Sequence, residues 1–157
     1  MDTDQTLLFD EAIKLELKVG ELYSLFASWF KEDYDFWWNL ALEENNHASL
    51  IRSVKEHFQP AGIFPKKLLS FSLPKMVDTN KKLTALIEKY KANPPQREET
   101  FRVAIDIETS GYEIHYQEFM AGKAESAVDN LFQDLNSGDK DHADRIKNYM
   151  ISRGLQP

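Results

Sequence analysis

The sequence predicts an all-α protein, a four-helix bundle of two antiparallel hairpins joined by a long crossover that carries a short extra helix. Three observations predict it. Apolar residues recur at alternating steps of three and four along four long segments, the period of one helix face. Short polar turns join the first segment to the second and the third to the fourth, while residues 59–96 separate the two pairs. No stretch shows the period-two alternation or the β-branched runs of a strand.

Taken in order, residues 3–30 carry Leu8, Ala12, Leu15, Val19, Leu22, Phe26 and Trp29 on one stripe, with Thr3 or Asp4 placed to cap the start. "KEDYD" turns the chain. A second stripe follows through Phe36, Leu40, Ile51, Val54 and Phe58 until "QPAGIFP" stops it, since the residue before a proline is pushed out of helix. Residues 75–92 read as a shorter helix ended by "NPPQ". Residues 97–120 read as a third long helix on Phe101, Ala104, Tyr112 and Phe119. "AGK" turns the chain again, and residues 124–152 read as a fourth on Val128, Leu131, Leu135, Ile146 and Tyr149. Within the crossover, "QPAGIFPKKLLSFSLP" is irregular yet apolar. It should therefore pack on something, either the bundle itself or a second copy.

At 157 residues, 42% hydrophobic and 29% charged, the chain reads as one globular domain, 1–157, with a sizeable core. Its net charge of −7 argues against nucleic acid or an anionic membrane as the main partner. No apolar run is long enough for a membrane span, and "MDTDQT" is unlike a secretory leader. The absence of cysteine removes disulfides, thiolate ligands and thiol nucleophiles together. A cytoplasmic protein is the expectation.

Polar residues interrupt each stripe. The second reads Phe36, Leu40, Glu44, His47, Ile51, and the fourth reads Leu131, Leu135, Asp139, His142, Ile146. Glu16 lies among Ala12, Val19 and Tyr23, and Glu108 lies between Ile105 and Tyr112. Each long helix thus turns a carboxylate toward the core, where an ionised group alone loses several kcal/mol of solvation. Divalent cations remove the objection, because carboxylates and neutral imidazoles suit iron, manganese or zinc. Depth agrees. A hairpin turning near residue 32 sets Glu16 opposite residue 48, and one turning near 123 sets Glu108 opposite residue 138. At about 1.5 Å per residue these offsets amount to about one helical turn.

A Glu from each of two helices plus a carboxylate-x-x-His from each of the other two resembles the ligand set of the ferritin-like di-iron carboxylate proteins. The resemblance is closest to rubrerythrin-like proteins. "ELKVGELYSLFA" is similar to their first helix, in which the metal glutamate precedes a tyrosine by seven positions, as Glu16 precedes Tyr23. "EENNHASLI" resembles the helix that follows. The halves also resemble each other: "ETSGYEIH" repeats the Glu16–Tyr23 spacing with His115 in the tyrosine's place, and "DKDHADRI" echoes "ENNHASLI". The likeness covers the four long helices and leaves out residues 59–96.

It implies two metal ions, iron first with manganese or zinc as alternatives, held by Glu16, Glu44, His47, Glu108, Asp139 and His142. It also implies redox chemistry with peroxide or dioxygen, of peroxidase or ferroxidase kind, and a homodimer. The alternative is a non-enzymatic metal-binding or storage bundle, or a helical interaction module with a degenerate site. Two departures stand out. Asp139 is one methylene shorter than the usual Glu, and Gly138 before it lets "NSGDKD" read as a turn with Asp139 as N-cap, although the unbroken stripe favours continuous helix. A cysteine-free chain also cannot build a rubredoxin iron centre, so electrons would come from an external donor.

Around the site, Tyr23 either donates a hydrogen bond to a ligating carboxylate or packs. His115 is either a hydrogen-bonder or spare ligand to the site, or a core-edge histidine. Trp37 and Trp38 read as packing at the end of the bundle rather than an electron path, and His57 as a partner of its helix C-terminus. Glu43, Glu113 and Asp141 fall off the stripes and read as solvated charges.

Overall fold

The computed structural model describes residues 3–62, 72–110, 118–135 and 141–157, and all regular structure among them is helical. The helices are α1 (Thr3–Trp29), α2 (Tyr34–Ser53), α3 (Leu73–Ala92), α4 (Arg97–Glu108), α5 (Ala127–Leu135) and α6 (His142–Ser152). A 3-10 turn, Lys31–Asp33, links α1 to α2. A π-helical turn, Val54–Phe58, and a 3-10 turn, Gln59–Ala61, finish α2 at "QPAG". Gly62 ends that run at φ 69°, a left-handed conformation that glycine adopts without a Cβ clash. Among the described residues no helix is long and apolar enough to cross a membrane.

The short link makes α1 and α2 antiparallel neighbours. They approach closely at Gly20: a Cβ there would lie 3.1 Å from Asn45 Oδ1 and 3.3 Å from the Ala41 carbonyl. α3 lies along α1 in the same direction, with Asn80 donating to the Glu11 carbonyl at 2.9 Å and Lys91 pairing with Glu21 at 2.8 Å further along. α4 and α6 are antiparallel, with Glu108 near His142 at one end and the rings of Phe101 and Tyr149 5.8 Å apart toward the other. Phe36 stacks on Tyr149 at 3.9 Å, and Glu43 meets His142 two turns further along α2, so α2 also opposes α6. It follows that α2 runs parallel to α4, and α1 parallel to α6.

The core beside the first turn is aromatic. Trp37 is fully buried with ring centroids of Tyr23, Phe26, Phe36 and Phe101 at 5.4, 5.1, 5.2 and 4.7 Å. Tilted and edge-on arrangements at such spacing suit the ring quadrupoles. Trp38, by contrast, is exposed and stacks on Tyr34. His57 sits near Ser53 O at 3.1 Å in the last turns after α2, where a helix C-terminus attracts a donor. Asp33, in the link itself, is buried. It accepts a two-pronged pair from Arg97 (2.7 and 2.8 Å) and a hydrogen bond from the Tyr149 hydroxyl (2.9 Å). One carboxylate thus ties the α1–α2 turn to the start of α4 and the end of α6.

Two predicted boundaries differ. The third helix, read as 97–120, stops at Glu108 in a turn at Thr109 and Ser110, and residues 118–121 are again helical. Thr109 Oγ1 bonds back to the Ile105 carbonyl at 2.7 Å, the local competition by which Thr and Ser weaken helices. The fourth, read as one helix over 124–152, is two: α5 and α6, with Asp141 at φ 59°, ψ 44° as the residue preceding α6. A left-handed residue cannot continue a right-handed helix, so the helix is broken at Asp141, which stands at the N-cap position of α6. The capping role read for Asp139 lies outside the described residues. The phase of α5 shifts too: Phe132 is buried and Leu131 is 43% exposed beside the end of α2.

Candidate metal centre

Four helices deliver five of the six predicted ligands to one level of the core. Glu16 comes from α1, Glu44 and His47 from α2, Glu108 from α4 and His142 from the first position of α6, and all are 0–3% exposed. They form two overlapping groups. Glu16, Glu44 and His47 present ligand atoms within 4.8 Å of one another, and so do Glu44, Glu108 and His142. Glu44 belongs to both. Asp139, the sixth, and His115 lie outside the described residues.

The imidazoles are aimed alike. His47 turns Nδ1 toward Glu44 Oε2 (3.3 Å) and Glu16 Oε2 (3.6 Å). His142 turns Nδ1 toward Glu44 Oε1 (2.9 Å) and Glu108 Oε2 (3.4 Å). The rings stack at 5.6 Å with 17° between planes. The carboxylate three residues before His47 shares its face of α2, which is why Glu-x-x-His presents two ligands together.

Two of the ligands are steered from behind. The Tyr23 hydroxyl donates to Glu108 Oε1 at 2.5 Å, and its ring also packs 5.4 Å from that of Trp37. His142 donates through Nε2 to Glu43 Oε2 at 2.8 Å, since a carboxylate can only accept. Glu43 is in turn gripped by Arg145, with Nη1 to Oε2 at 2.5 Å and Nη2 to Oε1 at 2.9 Å. Fixing Nε2 as the protonated nitrogen leaves Nδ1 for a metal, the usual carboxylate–histidine–metal arrangement. Glu43, read from the sequence as a solvated charge, is therefore half-buried and part of the site. The helical wheel placed it correctly, about 100° from Glu44. What the wheel of one helix omits is that α6 packs on that flank, in the register that also sets Phe36 on Tyr149. A glutamate beside the ligand on α2 and an arginine three after the ligand on α6 were the available signal.

Charge in the metal-free cluster is held down by protons. Burial, with Glu44 beside it, pushes the Glu16 carboxyl up to about 8. Burial also opposes ionisation of Glu44, yet His142 and His47 outweigh it and hold that carboxyl well below the usual range. Burial works against a charged His142 as well, but Glu44, Glu108 and Glu43 raise it well above an ordinary histidine. Glu43 is lowered to about 2, the bonds from His142 and Arg145 overcoming its burial. These directions favour a proton on Glu16 and a charged His142 ring.

The residues fit cations by an independent test. Both Glu16 oxygens and Glu108 Oε2 are buried with no hydrogen-bond donor among the described residues. Leaving such atoms unmet costs stability, and a divalent ion meets several at once. The donor set of carboxylate oxygens and imidazole nitrogens is that of iron, manganese or zinc. No family model, curated protein or solved structure matches this chain.

Proposed function

We propose that the protein is a ferritin-like, rubrerythrin-like di-metal carboxylate protein, and that α1, α2, α4 and α6 make up its four-helix bundle with α3 in the crossover. The single observation that carries the reading is the pair of buried Glu/His groups sharing Glu44. The helix directions support it as well. Two antiparallel pairs, with α2 parallel to α4, need a connection that returns along the bundle, and α3 runs in the returning direction beside α1.

Glu16 and His47 would hold one ion, Glu108 and His142 the other, and Glu44 both. A pair of iron ions bound there supplies one-electron redox steps toward peroxide or dioxygen. The protein's share is positional. Arg145 and Glu43 keep Nδ1 of His142 facing the site, Tyr23 keeps Glu108 turned inward, and burial of all five ligands to 0–3% exposure keeps water out. Glu16 and His142 give up protons when cations arrive, so binding releases acid and tightens with pH. Electrons would reach the site from an external donor.

The test is metal analysis of protein purified aerobically, then ferrous iron titrated anaerobically and oxidised with peroxide. Two irons per chain, oxidised faster than iron in buffer, is the expected result. Two ions bound without accelerated oxidation would favour metal storage instead. No bound metal after loading would overturn both readings.

A further inference from the structure

α3 rests on α1 and turns through residues 93–96 into α4. The two are pinned beside that turn, where the Tyr90 hydroxyl donates to Glu99 Oε1 at 2.9 Å. Further from the turn they leave a cavity of about 420 Å³ between α1, α3 and α4. Its floor is Leu15 and Leu83, both buried, and its walls are the partly buried Leu86, Val103 and Ile107. Lys82 and Asp106, both exposed, stand at the mouth, with Thr79 beside them. On each helix the lining residues recur at steps of three and four, so two stripes face each other across the gap. On α3 the lining runs from Thr79 to Leu86, a length of about 10 Å at the rise of a helix.

We infer that this cleft binds a small apolar molecule with a cationic end, of the alkylamine class. Size excludes a docked helix. A helix about 10 Å across, side chains included, fills about 800 Å³ over that length, whereas cavities of about 300–1,000 Å³ are those of small ligands. The interior is apolar and offers no hydrogen bond. Among the described residues, none of the buried side-chain polar atoms without a partner belongs to the lining, and Thr79 Oγ1 already donates to the Lys75 carbonyl at 2.9 Å. A polar group carried inside would lose its water and gain nothing, so the body of the occupant is apolar. The mouth sets its end. Lys82 pairs with Asp78 at 2.7 Å. That leaves the Asp106 carboxylate, which has no side-chain partner among the described residues, as the uncompensated charge. The net charge of −7 on the whole chain has the same sign. A carboxylate or phosphate end would be repelled there, and an ammonium attracted.

The inference stands apart from the metal reading, because none of the five Glu and His ligands lines the cleft. Isothermal titration calorimetry of the full chain with octylamine, hexylamine and octanoate is the measurement, in chelator and in zinc, with a thermal melt of every variant. One octylamine per chain is expected, at the same affinity in both buffers. Hexylamine buries two methylenes fewer and should bind about fifteenfold more weakly. Octanoate should bind roughly tenfold more weakly than octylamine at low salt. Val103→Trp fills the cleft and should abolish binding. Asp106→Lys, at an exposed position, should weaken octylamine by about fivefold and strengthen octanoate. Leu42→Glu, on the outer face of α2, should change neither. Where Val103→Trp fails to fold, Asp106→Lys decides alone. No uptake of octylamine by wild type would overturn the inference. Binding that the folded cleft variants leave unchanged would place the molecule elsewhere and overturn it too. Octanoate binding as tightly as octylamine would reject the cationic end.

Discussion

Glu44 lies within ligand distance of both histidines, so its loss and the loss of an outer ligand should differ in kind. Glu44→Ala takes an oxygen from each group and should empty both positions. His142→Ala should leave the Glu16–Glu44–His47 group able to hold one ion. Zinc per folded chain, measured after dialysis, is expected to be near zero in the first variant and near one in the second. Equal losses would show that the two groups act as one indivisible site. Glu43 makes a subtler case. It offers no atom to the metal, yet without it the His142 ring loses the acceptor that selects its tautomer, and Arg145 is left facing the site. Removing such a partner weakens metal binding by about 10–100-fold. Glu43→Ala should therefore bind zinc that much more weakly, while Glu43→Gln, which still offers an oxygen to Nε2, should lose less. Unchanged affinity in Glu43→Ala would return the residue to the surface role its wheel position indicates.

Elements succeed here where turn chemistry and stripe agree, and fail where they conflict. α1, α2 and α3 were legible because apolar period, polar link and proline stops coincide, and the one-turn depth argument then brought Glu16 to Glu44 and His47. The break before α6 was not. The stripe through Leu135, Asp139 and Ile146 indicated continuity, and only the left-handed Asp141 interrupts it. His142 still reaches the site because it opens α6, so its placement follows from the packing of α6 on α2 and α4 rather than from helix continuity. Asp33 was illegible for a related reason: it sits in a turn that pattern reading treats as solvent-facing, while its partners are distant in sequence. Its two-pronged bond to Arg97 and its bond from Tyr149 join three elements, and Arg97 is only partly exposed. Asp33→Ala leaves that guanidinium and hydroxyl without their acceptor, and should cost about 2–3 kcal/mol by urea unfolding. A loss under about half a kcal/mol would mean solvent replaces the carboxylate, as at ordinary surface pairs.

At the scale of the whole molecule, the site makes stability depend on pH and on metal in opposite senses. Glu16, raised from 4.5 to about 8, binds more protons folded than unfolded. Its contribution is therefore full below pH 4.5 and is lost as pH climbs toward 8. His142, raised well above 6.5, adds a contribution that is full below that value and declines as pH rises past its folded value. Glu43 has the other sign: lowered to about 2, it stabilises above 4.5 and fails only as pH falls toward 2. The metal-free protein should thus be most stable in mildly acidic solution and melt at progressively lower temperature from pH 5.5 to pH 8. Cations replace the same protons, so their affinity and their stabilising effect should grow over that range. At a free metal concentration a hundred times the dissociation constant, one site adds about 2.7 kcal/mol, which for a chain of this size shifts melting by about 5–10 °C. Calorimetry in chelator and in zinc, at pH 5.5 and pH 8, reads both trends at once. Curves that separate as pH rises are expected. A melting temperature indifferent to zinc at pH 8 would mean that the cluster takes up no cation even where its protons are leaving, and that the buried carboxylates are a structural polar core.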